Sequence, residues 1–219
     1  NPVVSGVSVT PSPTATTSDL LTCTGTVSDP DGFTPVTKTF AWTNETTGTT
    51  FSSTTSTLQL TSSNVAAGDK IRCTVTGTDI HSGTSSATAD TSVINTGPTV
   101  SDVSIAVRGG GTATTYATLD CGVTAADSDG DTLTYTYTWA NAGTTLRTNT
   151  TTSATDSITL TITDNRPGDL VSCTVIATDG SVTDSGLDSI TLVNTKPEVT
   201  GPTITSSDGS DVFTDSTLT

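Results

Sequence analysis

Leu21-Thr22-Cys23-Thr24-Gly25-Thr26-Val27 and Leu119-Asp120-Cys121-Gly122-Val123 are one pattern written twice. Apolar or small residues alternate with polar ones in both, and a period of two puts one face against a core and the other in water. A tryptophan follows each cysteine, Trp42 after 19 residues and Trp139 after 18, and a second cysteine follows after 50 and 52, at Cys73 and Cys173. The landmarks keep step: Cys23 and Cys121 lie 98 residues apart, Cys73 and Cys173 100, Trp42 and Trp139 97. A boundary phrase recurs as Ile94-Asn95-Thr96-Gly97-Pro98 and Val193-Asn194-Thr195-Lys196-Pro197, with Asn1-Pro2 as its shortened first copy. Internal repetition at this period means stacked units of similar fold. The expected organisation is repeat 1 over 1–96, repeat 2 over 97–195, and the first strands of a third repeat over 196–219, where Leu218 stands as Leu21 and Leu119 do. The third copy is expected either to be cut from a longer polypeptide or to be completed by a neighbouring subunit through strand addition.

The other strands alternate in the same way. Phe40 and Trp42 match Leu133, Tyr135, Tyr137 and Trp139; Leu58 and Leu60 match Ile158, Leu160 and Ile162; Ile71, Cys73 and Val75 match Val171, Cys173 and Val175. Composition agrees: 57 Thr and 27 Ser stand beside 31% hydrophobic and 4% aromatic residues. Threonine is β-branched and suits a pleated, half-wet surface. No window carries apolar residues at helical spacing over three turns, so the class is all-β.

The formal charge is −15, from 22 acids and 7 bases. Such a polyanion does not hold a phosphate backbone or an anionic membrane surface, which excludes nucleic acid as a partner class. No apolar run is long enough to span a bilayer, so direct membrane insertion of this segment is not expected.

The Cys…Trp…Cys order in each copy resembles the immunoglobulin fold, where a bridge joins strands B and F and a strand-C tryptophan packs on it. The fold expected from the resemblance is a tandem of immunoglobulin-like β-sandwiches with Greek-key connections and a B–F disulfide in each. The bridges it implies are Cys23–Cys73 and Cys121–Cys173; the other reading of the four cysteines is free thiols acting as small buried hydrophobes. Bridges place the chain outside a reducing cytosol, hence extracellular or at a cell surface. One departure is plain: the tyrosine two residues before the second cysteine of antibody-type domains is replaced by Ile71 and Val171. The copies look more like the bacterial immunoglobulin-like, cadherin-like and PKD-like repeats of large surface, adhesin or fibre proteins.

The most informative local motif is Asp127-Ser128-Asp129-Gly130-Asp131, six residues after Cys121; its counterpart is Asp29-Pro30-Asp31-Gly32-Phe33. These are the expected B–C loops, and Asp79 and Asp179-Gly180 open the F–G loops at the same pole. Alternating Asp with a Gly for the turn gathers carboxylates around a point, as a calcium shell requires. The cadherin-like resemblance implies calcium between adjacent domains, with Asp29, Asp31, Asp79, Asp127, Asp129, Asp131 and Asp179 as candidate ligands. The plainer reading is good turn chemistry. Asp69 and Asp169, on the opposite pole, are expected to reach the next domain's loops. Asn44-Glu45-Thr46 and Asn149-Thr150-Thr151 match the N-glycosylation pattern, although a chain this rich in Ser and Thr produces such matches by chance.

Catalysis lacks parts. The lone His81 has no equivalent in the second copy, and without a base none of the serines is an activated nucleophile. The expectation is a non-enzymatic, structural extracellular protein: a rigid stalk, fibre or filament of tandem domains, calcium-stiffened and glycosylated, whose partners are neighbouring copies of the same repeat. The alternatives are an adhesin or glycan-binding module, and an accessory region of a secreted hydrolase or phage surface protein.

Overall fold

The computed structural model describes residues 1–32 and 34–196. Every regular element among them is a β-strand, and the strands form one sandwich per copy. The first contains β1 (Val3–Thr10), β2 (Thr14–Ala15), β3 (Leu20–Ser28), β4 (Thr37–Asn44), β5 (Thr49–Thr50), β6 (Thr57–Gln59), β7 (Lys70–Thr78) and β8 (Thr84–Val93). One sheet runs β1-β3-β6 and the other β2-β8-β7-β4-β5. The second contains β9 (Thr99–Val107), β10 (Thr118–Ala126), β11 (Thr134–Asn141), β12 (Thr144–Thr151), β13 (Thr155–Thr159), β14 (Leu170–Thr178) and β15 (Thr183–Thr191), in sheets β9-β10-β13 and β12-β11-β14-β15. Apart from the short β2, which leaves the sheet of β1 to pair with β8, the chain crosses between sheets after β3, β5 and β6, and at the matching places after β10, β12 and β13, which is the Greek-key path of an immunoglobulin-like sandwich. The opening of a third copy expected from Pro197 onward lies outside the described residues, as does Phe33.

Each sandwich has its own core, and each core is organised around a bridge. Cys23 in β3 joins Cys73 in β7 with the Cα atoms 6.4 Å apart, and Cys121 in β10 joins Cys173 in β14 at 6.5 Å. Trp42 stands directly opposite Cys73 across β4 and β7, and Trp139 opposite Cys173 across β11 and β14. Opposed residues of an antiparallel pair project from the same face, so each indole lies beside its bridge. Both tryptophans are fully buried. Their N–H groups still find acceptors: Trp42 Nε1 donates to the Thr55 carbonyl at 3.0 Å and Trp139 Nε1 to Asp156 Oδ2 at 2.8 Å. In the chain-entropy model a bridge closing about 50 residues contributes about 4 kcal/mol, a large share for a small sandwich poor in aromatics.

The corner between β6 and β7 (strands E and F of the immunoglobulin pattern) and its counterpart between β13 and β14 answer the missing tyrosine. Asn44, the last residue of β4, lies opposite Ile71, and Asn141, the last of β11, lies opposite Val171. Asn44 Nδ2 donates to Asp69 Oδ2 at 2.7 Å, and Asn141 Nδ2 to Asp169 Oδ2 at 2.7 Å. Each carboxylate also accepts a backbone N–H from its own corner, Ala66 at 2.9 Å and Arg166 at 2.8 Å. These bonds, led by that from Asn141, hold the Asp169 carboxyl below the usual Asp range.

Three expectations change as a result. Asp69 and Asp169 turn inward to tie their own corners, and Asp69 makes no bond to the second repeat; what would follow Asp169 lies outside the described residues. Asn44 is 2% exposed, and the nitrogen a glycan would occupy is the one bonded to Asp69, so the folded chain leaves no room for sugar there. Ile162 falls beyond β13, where the chain turns, and is 60% exposed instead of continuing the inward face of strand E. Asn149 lies half-buried on β12, its amide donating to Asp156 Oδ1 at 2.9 Å.

Acids also close the open edge of strand A in the second sandwich. β9 pairs with β10 on one side; on the other, the Val100 N–H donates to Asp184 Oδ2 at 2.7 Å and the Ile105 N–H to Asp188 Oδ2 at 2.8 Å. Two edge donors are thereby satisfied from the facing sheet.

Replacing Asn44 with Ala removes the only side-chain donor to the buried Asp69 carboxylate among the described residues. Denaturant unfolding is expected to show a loss of about 1–3 kcal/mol; an unchanged midpoint means the corner is held by other bonds.

Candidate functional site at the joint between repeats

The loop after β10 is built by its own acids. Asp127 Oδ1 accepts the Asp129 N–H at 2.8 Å, and Gly130, at φ +81°, makes the left-handed turn that side chains rarely adopt. This turn directs the Asp129 carboxylate at the preceding repeat. Asp129 Oδ1 accepts from the Thr17 hydroxyl at 2.6 Å, and Asp129 Oδ2 accepts from the Thr96 backbone N–H at 2.6 Å. Thr17 Oγ1 also lies 3.2 Å from the Ser128 carbonyl. One carboxylate therefore clamps a side chain of the first sandwich and the backbone of the linker together. Ionised acceptors make short, strong bonds, and these two are short.

The loop between β14 and β15 supplies the second clamp. Asp179 Oδ1 accepts from Ser181 N (2.6 Å) and Val182 N (2.7 Å), which shapes the loop. Its Oδ2 is left to accept from Asn95 Nδ2 at 2.8 Å. The Val182 N–H and then the Asn95 amide pull the Asp179 carboxyl below its ordinary range. The linker itself is tight. Ile94 still bonds to the Ala15 carbonyl at 2.8 Å, and Gly97 lies so close to the second repeat that a Cβ there would stand 2.8 Å from Val182 Cβ.

The acids expected at this pole therefore divide. Asp127, Asp129 and Asp131 come together, with one oxygen from each lying within 4.8 Å of the others. Asp179 stays outside that cluster, both oxygens already engaged. Asp29, Asp31 and Asp79 make no such cluster among the described residues. Asp79 is instead a turn-former, accepting from the His81 and Gly83 N–H groups at 2.8 Å each, and the Gly83 bond leads in lowering its pKa. Asp31 lies 3.6 Å from the Asn1 amino group, and the Asp29 Oδ1 accepts the Asp31 N–H at 2.9 Å. Thr17, Asn95 and Thr96, the donors across the joint, were not among the expected site residues. Thr17 is one of 57 threonines and Thr96 contributes only its backbone, so neither has a signal to distinguish it.

Strand order, bridges and joint together define a tandem immunoglobulin-like β-sandwich protein. No family model and no curated protein sequence matches the chain. Among solved structures it is similar to the FN1–FN3 domains of chicken CNTN1, with 10% identity, 87% of this chain and 64% of that one covered, and a TM-score of 0.34. It is also similar to three N-terminal domains of the Highly Immunogenic Outer Capsid protein (Hoc) of bacteriophage RB49, with 17% identity, 85% and 58% covered, and a TM-score of 0.30. The chain spans less than two thirds of either structure.

A depressed folded pKa contributes stability that is present above the ordinary carboxylate range and lost as pH falls through the depressed value. Energy transfer between dyes on the two repeats is thus expected to hold steady from pH 8 to 6 and to change in acid, the contribution of Asp179 being lost only below the ordinary carboxylate range. A change beginning between pH 8 and 6 is the contrary result.

Proposed function

We propose that the chain is a structural segment of an extracellular rod, a stalk, fibre or filament in which sandwiches stack end to end and carboxylates hold each joint. The double engagement of Asp129 carries this reading. Thr17 ties the first sandwich to it, Thr96 ties the linker, and Asn95 adds a third tie to Asp179. Only five residues, 94–98, separate β8 from β9, and a proline among them restricts its neighbour to extended geometry. Such a connection transmits force and orientation where a Gly/Ser tether does not. The bridges suit an oxidising exterior, and no helix among the described residues is long and apolar enough to cross a membrane.

Calcium belongs to the same proposal as a brace. Asp127 Oδ2 and Thr96 Oγ1 are buried without a hydrogen-bond partner among the described residues, and both lie at the joint that the three acids border. Carboxylate and hydroxyl oxygens are the hard ligands calcium takes. A cation held by Asp127, Asp129 and Asp131 offsets the mutual repulsion of three like charges.

Small-angle scattering of the chain at neutral pH tests the rod. The pair-distance distribution is expected to carry a shoulder at roughly 40 Å, one sandwich length plus the linker, and Thr17→Val with Asp129→Ala should blur it. A wild-type curve already blurred, as for two freely swivelling beads, contradicts the rod. Thermal unfolding with calcium and with chelator tests the brace separately: a higher midpoint for the second repeat in calcium is expected, and identical midpoints remove the cation.

A further inference from the structure

The far pole of the second repeat repeats the donor side of the joint. Thr115 stands two residues after buried Ala113 and four before Leu119, as Thr17 stands to Ala15 and Leu21. Asn194 and Thr195 precede Pro197 as Asn95 and Thr96 precede Pro98. Neither Thr115 nor Asn194 makes a side-chain hydrogen bond with the described residues. Two cations also stand at this end, Lys196 in the place of Gly97 and Arg166 in the place of Ala66, in a chain with only 7. Tyr116 and Ile162, in the places of Ser18 and Ser62, are 61% and 60% exposed. In the joint described, Ser62 is the residue that faces Gly130 of the next repeat.

Steric fit then selects what this end accepts. The residue before the joint proline packs against the residue before strand G. Where that second residue is Val182, the first is Gly97, and a Cβ on Gly97 would lie 2.5 Å from Val182 Cγ1. At the first repeat the pair is reversed: Asn1 carries a side chain, and the residue before β8 is Gly83, whose missing Cβ leaves the space that the Asn1 side chain occupies. Register confirms the equivalence, since Thr84 opens β8 opposite Thr78 and Thr183 opens β15 opposite Thr178. One member of each pair is glycine. Lys196 is not, so a repeat bearing valine before strand G collides with it.

Resting on the joint proposed above, we infer that the far pole of repeat 2 is a half-joint for a following repeat of the first kind, with glycine before strand G and an acidic pole like that of Asp31 and Asp79. The acceptor geometry of that kind is already formed. Asp79 Oδ1 is engaged by its own loop while Oδ2 lies 4.0 Å from the Asn1 amino group, on the side from which Asn95 meets Asp179 Oδ2. Thr115 and Thr195 would meet the counterpart of Asp31, and Asn194 the counterpart of Asp79. The occupant continues the same polypeptide, because two of the three donors lie in the linker itself. Arrays built on this rule never place two of the second kind in succession.

Two lengthened chains test it, each sandwich having its own core and bridge: residues 1–196 followed by 2–96, and residues 1–196 followed by 98–196. Amide exchange at Thr195 reports the new joint and at Thr96 the existing one. The first array is expected to slow Thr195 by at least about tenfold relative to the 219-residue chain, and the second to leave it fast. In the second array Lys196→Gly should restore protection, and in the 219-residue chain Gly97→Lys should expose Thr96 until Val182→Gly is added. Equal protection in both arrays, or none in the first while Thr96 stays slow, overturns the pairing rule. A fast Thr96 in the unaltered chain overturns the joint itself, which is a different failure.

Discussion

Asp129 gives both of its oxygens to the preceding repeat, and it does so under a constraint that runs through the chain: 22 acids share 7 bases. Most carboxylates therefore cannot be satisfied by ion pairs. They take N–H and hydroxyl donors instead, which are directional and short in range. Asp69 and Asp169 close the E–F corners, Asp184 and Asp188 close the edge of β9, Asp156 receives the Trp139 indole, and Asp129 and Asp179 hold the joint. A carboxylate used in this way fixes orientation as well as position. That is why an acidic, threonine-rich chain with few large apolar residues forms two defined sandwiches and a defined angle between them.

Core and joint divide the work. Inside each sandwich the bridge and its tryptophan supply the packing that a small apolar inventory would otherwise lack, while Ile71 and Val171 fill the place of the usual corner tyrosine. The polar tie moves to the neighbouring strand, at Asn44 and Asn141. At the joint the ties are hydrogen bonds to carboxylate acceptors and the close fit of Gly97 against Val182.

The fold was legible in the sequence because cysteine and tryptophan are rare here and fall at matching intervals. Strand alternation was legible for β3, β7, β10 and β14, where inward residues are large or sulfur-bearing. It failed at Ile162, because periodicity continues past the point where the chain turns. The acidic half of the joint was visible, since Asp-x-Asp-Gly is a distinctive turn; the donor half was not. A backbone N–H has no sequence signature, and one threonine among many has none either. Asn44 shows the reverse hazard: its glycan pattern is genuine as sequence, but the side chain is a buried structural tie.

Residual dipolar couplings measured on both repeats of the chain, in one weakly aligned sample at neutral pH, test the fixed joint most directly. Residues 3–93 and 99–191 are predicted to fit a single alignment tensor. Two tensors of different magnitude, one per sandwich, would show that the repeats reorient independently and that Asp129 does not hold them.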